Sequence, residues 1–205
     1  MVKRPSTDPM RGEGGQAMIS RLKKSISISS LLWFSLLRLS FPAFAGEPPQ
    51  NGAHFPEFSL QSPESDADRN YLGIGNSQTF ALRELHCSLT LVEILGVYCP
   101  QCHAQAPLFN KLFSMIQGDQ VLSKNIKMLG VAIGATPFEV EYLRNQFEIS
   151  FPVLSDPKFE IHKSLGEPRT PLTLIVSSDG RICFAHLGVI KDIEKMFLDL
   201  KDLLR

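Results

Sequence analysis

The chain has 205 residues, enough for one domain of ordinary size with its own hydrophobic core. Its composition, with 43% apolar and 20% charged residues and 4 cysteines, is that of a globular protein and excludes a disordered chain or a disulfide-dense scaffold. Residues 46–205 carry 14 basic and 19 acidic side chains, a net charge of −5 in a chain that is neutral overall, so we expect no nucleic-acid partner.

The start of the chain has the pattern of an export leader. A basic segment at residues 21–24 precedes an apolar stretch at residues 26–37, and Ala-Phe-Ala at residues 43–45 supplies the small-x-small pattern of a cleavage site. These features predict a signal peptide that begins at Met18 and is cut after Ala45. The protein is therefore expected to be exported, with a periplasmic or other extracytoplasmic location.

Two other interpretations of residues 1–45 remain open. Arg38 interrupts the apolar stretch, so no run reaches the ~20 residues that a membrane-spanning helix needs. The leader could still be an uncleaved membrane anchor, or an amphipathic or buried N-terminal helix.

The next part of the chain, residues 46–85, is predicted to be an N-terminal extension with short strands. Residues 55–60 alternate apolar and polar side chains, as a short strand does. The polar run at residues 62–70 predicts a loop, and residues 71–85 predict further short strands and turns around two glycines.

From residue 86 to residue 205 the pattern changes to strands that alternate with helices. Residues 89–95 form an almost continuous apolar run, as expected of a central strand buried on both faces. Helices between strands imply crossovers and a mixed sheet covered on both faces, an α/β architecture. The elements predicted after this strand are a helix ending at Gly118, a strand at 126–133, a helix at 137–147, a short strand at 151–154, a helical turn at 157–165, an Asp-Gly hairpin at 172–187 and a closing helix at 190–204.

The strongest chemical signal is the motif Cys99-Pro100-Gln101-Cys102, placed between a strand and a helix. Two intervening residues bring the sulfur atoms close enough to bond across the first helical turn. The helix N-terminus has unpaired N–H groups and about half a positive charge, which stabilise a thiolate on Cys99. Cys102, one turn further in, can attack a mixed disulfide formed by Cys99. Pro100 suits the first turn because its missing N–H would have no partner there.

Three other interpretations of this motif remain open. With His103, the motif also matches the attachment pattern of a c-type haem. A zinc site would need a second pair of ligands, and Cys87 and Cys183 do not have that spacing. The pair could also form a purely structural disulfide. Cys87 and Cys183 themselves are either paired with each other or isolated, and the sequence does not decide between the two.

The segments LVEILGVYCPQCHAQAP and RTPLTLIVSSDGRICFAHLG resemble the thioredoxin superfamily and, among its branches, the exported TlpA/ResA-like proteins. Residues 55–60 resemble the short N-terminal segment of that branch, so the match covers roughly residues 55–205. The resemblance implies a thioredoxin-like domain over residues 86–205, with a central mixed β-sheet flanked by helices on both faces and an N-terminal strand or hairpin extension. It implies a thiol–disulfide oxidoreductase without a cofactor or a metal, whose Cys99 and Cys102 form the redox disulfide.

The resemblance also implies where substrate binds. In that superfamily the proline that matches Pro171 is cis and lies beside the active-site cysteines, and the backbone of Thr170 is then free to pair with an extended substrate segment. Tyr98 and Pro100, which flank the first cysteine, are expected to contact substrate as well. The alternative is an ordinary trans proline that opens a strand.

Glu93 is the third candidate for a catalytic residue, beside Cys99 and Cys102. It lies in an apolar strand, and alternation places it on one face with Leu91 and Leu95. The superfamily often has a buried acid at this position, and a buried carboxyl has a raised pKa. We expect Glu93 to exchange a proton with Cys102. The alternative is an edge-strand glutamate that faces solvent.

Together, these features predict an exported thiol–disulfide oxidoreductase that acts on protein disulfides or dithiols. The resemblance implies a reductant, for example one that keeps apocytochrome cysteines reduced for haem attachment, supplied by a membrane thiol donor. The alternative from another class is a thioredoxin-fold binding or chaperone-like module whose disulfide is not turned over. A peroxidase of the peroxiredoxin kind is disfavoured because the chain lacks Pro-x-x-x-Thr-x-x-Cys around a lone cysteine.

Overall fold

The computed structural model describes residues 46–205, and the predicted leader with its cleavage site lies outside the described residues. None of the described helices is long and apolar enough to cross a membrane. The elements are β1 (Leu60–Gln61), α1 (Asp66–Leu72), β2 (Thr79–Phe80), a 3₁₀ turn (Leu82–Glu84), β3 (Leu89–Leu95), α2 (Pro100–Gly118), α3 (Leu122–Asn125), β4 (Ile126–Ile133), α4 (Pro137–Gln146), β5 (Val153–Asp156), α5 (Glu160–Ser164), β6 (Leu172–Ser177), β7 (Ile182–Leu187) and α6 (Ile193–Leu203).

A five-stranded mixed sheet organises these elements, in the order β5-β4-β3-β6-β7. Strands β3, β4 and β5 are parallel, whereas β6 and β7 are antiparallel to their neighbours. All seven residues of β3 are buried, because this strand lies at the centre and both of its faces are covered. Helices α2, α4 and α6 cover one face, and α5 with the N-terminal extension covers the other. The predicted mixed sheet with helices on both faces is confirmed.

The N-terminal extension differs from the sequence prediction. The run at residues 62–70, predicted as a loop, contains most of helix α1, which Ser65 caps by accepting a hydrogen bond from the N–H of Asp68. Gly73 ends the helix in the left-handed region with φ 74°. Of the short strands predicted at residues 71–85, only β2 forms, and it pairs with β1. A seven-residue helix with few apolar positions gives no helical periodicity, so its caps were the only signal.

Tertiary contacts fix this helix against the main sheet. The Arg144 guanidinium on α4 lies 2.5 Å from the largely buried carboxylate of Asp68. The Tyr71 hydroxyl accepts a hydrogen bond of 2.9 Å from the N–H of Met128. That N–H belongs to a part of β4 that precedes the pairing with β5, which begins at Gly130. Helix α1 therefore closes an open edge of β4, and burial raises the pKa of Tyr71 to about 12.

Candidate functional site

The two cysteines of the motif lie where β3 leads into α2. Cys99 is the N-cap of α2, and its Sγ accepts a hydrogen bond of 3.2 Å from the N–H of Cys102. Pro100 occupies the first turn of the helix, as the sequence predicts. Cys102 is buried, and its Sγ accepts a 3.5 Å hydrogen bond from the N–H of Gly96. The structure holds both cysteines as free thiols.

The surroundings of the two thiols separate their pKa values. Burial alone would raise the pKa of Cys99, but hydrogen bonds from the Cys102 thiol, the Thr170 side chain and the backbone N–H groups of Cys102 and Gln101 outweigh burial and lower it. Burial, with a smaller contribution from the hydrogen bond to Cys99, raises the pKa of Cys102 to about 12. The thiol of Cys99, the less buried of the two cysteines, is therefore the one that ionises first as pH rises, as expected for a nucleophile at a helix N-terminus.

The Thr170–Pro171 segment lies directly beside Cys99. Its peptide bond is cis, and the Cys99 thiol donates a 3.5 Å hydrogen bond to the Thr170 carbonyl. Among residues 46–205, the Thr170 N–H has no hydrogen-bond partner. Tyr98, on the other side of Cys99, is 80% exposed and donates a hydrogen bond of 3.1 Å to Glu139. All four residues expected to contact substrate thus surround the Cys99 sulfur or flank it in the chain.

Glu93 is fully enclosed beneath the cysteines. Its side chain is 2% exposed and shares the face of Leu91 and Leu95, so the alternative of a solvent-facing glutamate is wrong for this chain. The Thr173 hydroxyl donates a 2.7 Å hydrogen bond to Oε2, whereas Oε1 has no partner among the described residues. Burial raises the pKa of Glu93 to about 8, although the Thr173 hydrogen bond opposes the shift.

A small internal cavity joins Glu93 to Cys102. Both side chains line it, with about 10 Å³ of room for the centre of a water molecule. That volume is close to what a single water needs. The remaining wall is apolar except for Gln105, so the carboxyl and the thiol line the same small, mainly apolar cavity.

Two polar side chains near the cysteines were not assigned a place in the site from sequence. Gln105 also lines the cavity, and its Oε1 accepts a 2.7 Å hydrogen bond from the N–H of Ile190. The His103 Nε2 donates a 2.6 Å hydrogen bond to the carbonyl of Val97, and its ring stacks on Phe147 at 4.3 Å. The helical spacing from Cys102 was the available signal for Gln105. The Nε2 of His103 already forms a hydrogen bond with Val97, in the loop before Cys99, and is not free to bind a haem iron. This geometry therefore does not favour the c-type haem interpretation.

Replacing Thr173 with valine is expected to raise the pKa of Glu93 further above 8. The substitution removes the hydroxyl that donates to the carboxylate and leaves a side chain of nearly the same shape. A hydrogen bond to a charged group contributes about 1.5–3 kcal/mol, which corresponds to roughly one to two pKa units. Infrared titration of the carboxyl band would measure the shift. An unchanged or lower pKa would show that the Thr173 hydrogen bond does not stabilise the carboxylate.

The other two cysteines lie apart from the motif and from each other. Cys87 packs with the core on the face covered by the extension, whereas Cys183 packs with the core on the opposite face of the sheet. Both are free thiols, which answers the question that the sequence left open. Among residues 46–205, no three His, Cys, Asp or Glu side chains are grouped in a way that could hold a metal ion.

Comparison with known proteins places the chain in a family. The Redoxin family model matches residues 50–203. Among curated relatives, the protein named thiol-disulfide oxidoreductase ResA from Halalkalibacterium halodurans is 22% identical over 60% of this chain and 68% of its own length. The protein of the same name from Geobacillus thermodenitrificans is 23% identical over 42% of this chain, and the match spans 47% of that relative.

A solved structure shows the same fold. A candidate thiol:disulfide interchange protein DsbE from Chlorobium tepidum superposes with a TM-score of 0.59 over 76% of this chain and 99% of the other, at 18% identity. The family match covers most of the chain, and the sheet order and the paired cysteines described above agree with it. The chain belongs to the Redoxin family, and within it to the thioredoxin-like thiol–disulfide oxidoreductases of the TlpA/ResA-like branch.

Proposed function

We propose that this protein is an exported reductant that uses the Cys99–Cys102 dithiol to reduce disulfide bonds in protein substrates. The observation that carries the proposal is the difference between the two thiols. The pKa of the accessible Cys99 is lowered, and the pKa of the buried Cys102 is raised to about 12. A dithiol in which one cysteine is ionised and attacks while the other stays protonated is suited to two successive exchange steps.

In the first step, the Cys99 thiolate attacks one sulfur of a substrate disulfide. A bond forms between Cys99 and that sulfur, the substrate S–S bond breaks, and the departing substrate thiolate takes up a proton from solvent. The N–H of Cys102, 3.2 Å from the Cys99 sulfur, stabilises the attacking thiolate before this step. The product is a mixed disulfide that leaves Cys102 as the only unbound thiol of the pair.

In the second step, Cys102 resolves the mixed disulfide. Its thiol passes a proton to the ionised form of Glu93 through the shared cavity, and the resulting thiolate attacks Cys99. The Cys99–Cys102 bond forms, the bond to substrate breaks, and the second substrate sulfur leaves as a thiolate that takes up a proton from solvent. Glu93 then releases to solvent the proton that it took from Cys102, which returns the carboxyl to its ionised form. The raised pKa of Glu93, about 8, supports this role because it brings the acid closer to the high pKa of the thiol. Substrate gains two electrons and two protons, which the dithiol loses.

Substrate binding is proposed for the residues around the Cys99 sulfur. The free N–H and the carbonyl of Thr170 can pair with an extended segment of the substrate backbone. Pro171 holds this backbone beside the sulfur. Tyr98 and Pro100 offer exposed apolar surface on the other side of Cys99. A substrate cysteine in an extended segment would thus be held on both sides of the reacting sulfur.

The leader pattern in residues 1–45 supports export, the similarity to proteins named thiol-disulfide oxidoreductase ResA supports disulfide exchange, and the family resemblance favours a reducing role. The oxidised pair must then be reduced again in a compartment with few soluble thiols, which requires a membrane thiol donor. Apocytochrome cysteines that await haem attachment are the substrate class that the family resemblance favours. In this arrangement residues 1–45 are a cleaved leader, residues 46–85 an extension and residues 86–205 the redox domain.

The reduction potential of the Cys99–Cys102 pair tests the direction of electron flow. The full chain would be equilibrated in glutathione or dithiothreitol buffers and the redox state read by the mass added on alkylation. We expect a potential near that of thioredoxin, about −270 mV. A value near −120 mV would instead indicate an oxidant of folding proteins. Cysteines that never exchange would identify a binding module with an inert disulfide.

A further inference from the structure

We propose that a groove along the outer edge of β5 binds a basic, extended segment of the substrate polypeptide that lies a few residues from the reacting cysteine. The inference rests on the proposed function, since it assigns a second contact to the same protein substrates. The groove, called here the β5 groove, has a volume of about 1140 Å³ and lies between residues 61–65, helix α4 and strand β5. Its size suits a peptide segment.

The main chain of β5 offers hydrogen bonds to this groove. The N–H groups of Gly130 on β4 and of Gly134, the residue after β4, donate to the carbonyls of Pro152 and Asp156. In a parallel pair, the backbone N–H and C=O groups of every second residue point towards the neighbouring strand. The backbone groups of Leu154 therefore also point towards β4, and those of the residues on either side of Leu154 point away from it. Those residues, Val153 and Ser155, line the groove, and among the described residues β5 is the end strand of the sheet and pairs only with β4. An edge of this kind can pair with an extended peptide.

The charges around the β5 groove select the class of segment. Glu64, Glu141 and Glu148 line it and are exposed, and none forms an ion pair with another residue in the described range. The cation in the lining, Arg144, is already paired with Asp68. The groove therefore presents about three uncompensated negative charges, which favour a lysine- or arginine-bearing segment.

One hydrogen bond links the segment that forms the wall of the β5 groove to the residue before Cys99. Phe138 is 78% exposed in its wall, and the adjacent Glu139 accepts the hydrogen bond from Tyr98, which precedes Cys99 in the chain. Strand β5 is the second strand from β3, so its outer edge lies about 10–15 Å from the end of β3. An extended chain covers that distance in about four or five residues. One polypeptide can thus place a cysteine at Cys99 and a basic residue in the groove.

Binding of a labelled peptide to the full chain tests this inference without any redox step. The probe is an extended peptide with serine in place of cysteine and lysines four to six residues on either side, measured by fluorescence anisotropy at low salt. Glu141→Lys is expected to weaken binding about fivefold, because it reverses one charge at the groove. Ser155→Pro is expected to weaken it as well, because it removes an outward N–H and leaves the pairing with β4 intact.

A matched control separates the groove from general charge attraction. Glu84→Lys changes the net charge equally but lies in the 3₁₀ turn before β3, at the opposite end of that strand from Cys99. Its binding constant should stay within twofold of the wild-type value. Equal weakening by Glu84→Lys, tighter binding of a peptide with glutamates in place of lysines, or no binding of the lysine peptide would each overturn the inference. Exchange of the wild-type cysteines with a small aromatic disulfide would be measured in parallel. If the wild-type protein does not react with this disulfide, the proposed function is overturned instead.

Discussion

Replacing Cys102 with serine is expected to convert the protein into a trap that holds its substrates as mixed disulfides through Cys99. The Cys99 thiolate keeps its place at the N-terminus of α2, where the residue 102 N–H still donates to it. Without the second thiol, nothing in the site can attack the mixed disulfide. Turnover should fall to roughly 1% or less of the wild-type rate, because each cycle stops at the covalent intermediate. Non-reducing electrophoresis followed by mass mapping of the linked cysteine would measure this.

Matched cysteine variants make the result specific. Cys87→Ser and Cys183→Ser remove thiols that lie on opposite faces of the sheet and outside the motif, so both should turn over substrate at close to the wild-type rate. Cys99→Ser should form no adduct at all. Adducts that map to Cys87 or Cys183, or wild-type turnover by Cys102→Ser, would contradict the assigned order of attack. The same traps would also identify the substrates.

The wild-type protein is expected to become less stable as pH rises, and replacing Glu93 with glutamine is expected to remove most of this decrease in the free energy of unfolding. The pKa of this carboxyl is about 8 in the folded protein, against an ordinary value of 4.5. Between these values the folded state binds more protons than the unfolded state, so the free energy of unfolding falls as pH rises. Glu93 accounts for a decrease on the order of 3 kcal/mol between pH 4.5 and 7, and the variant lacks this contribution. Urea unfolding in reductant at several pH values would measure it.

The same variant tests the proton transfer. Glutamine cannot accept the proton of Cys102, so release of substrate from the mixed disulfide should slow by about a hundredfold, while formation of the mixed disulfide changes little. Glu57→Gln, at an exposed carboxyl of the extension, is the control and should change neither step. A Glu93→Gln protein with the wild-type slope of stability against pH, or with equal slowing of both steps, would contradict the role assigned to this carboxyl.

The sequence was informative about the site wherever local geometry sets the chemistry. Two residues between Cys99 and Cys102 at a helix start determine which thiol is exposed, because the N-cap lies at the end of the helix and the next turn lies inside. Alternation along an apolar strand placed Glu93 on one face with Leu91 and Leu95, and in the structure this is the face that α2 covers. Thr173 could not be assigned from sequence, because its partner Glu93 lies 80 residues away in the chain. For Gln105, whose partner Ile190 lies 85 residues away, the helical spacing from Cys102 was the only sequence signal.

The fold, like the site, has parts that local sequence patterns predict and parts that depend on tertiary contacts. The sequence by itself determined the mixed sheet and the strand and helix order after residue 86, except for the one-turn helix α3, because buried strands and amphipathic helices have local apolar periods. Only the tertiary structure decided the path of the extension, where α1 is held by Arg144 and Tyr71 rather than by any period of its own. It also decided which thiol, carboxyl and cavity meet. Burial and long-range hydrogen bonds set pKa values, and both depend on chain segments that only folding brings together.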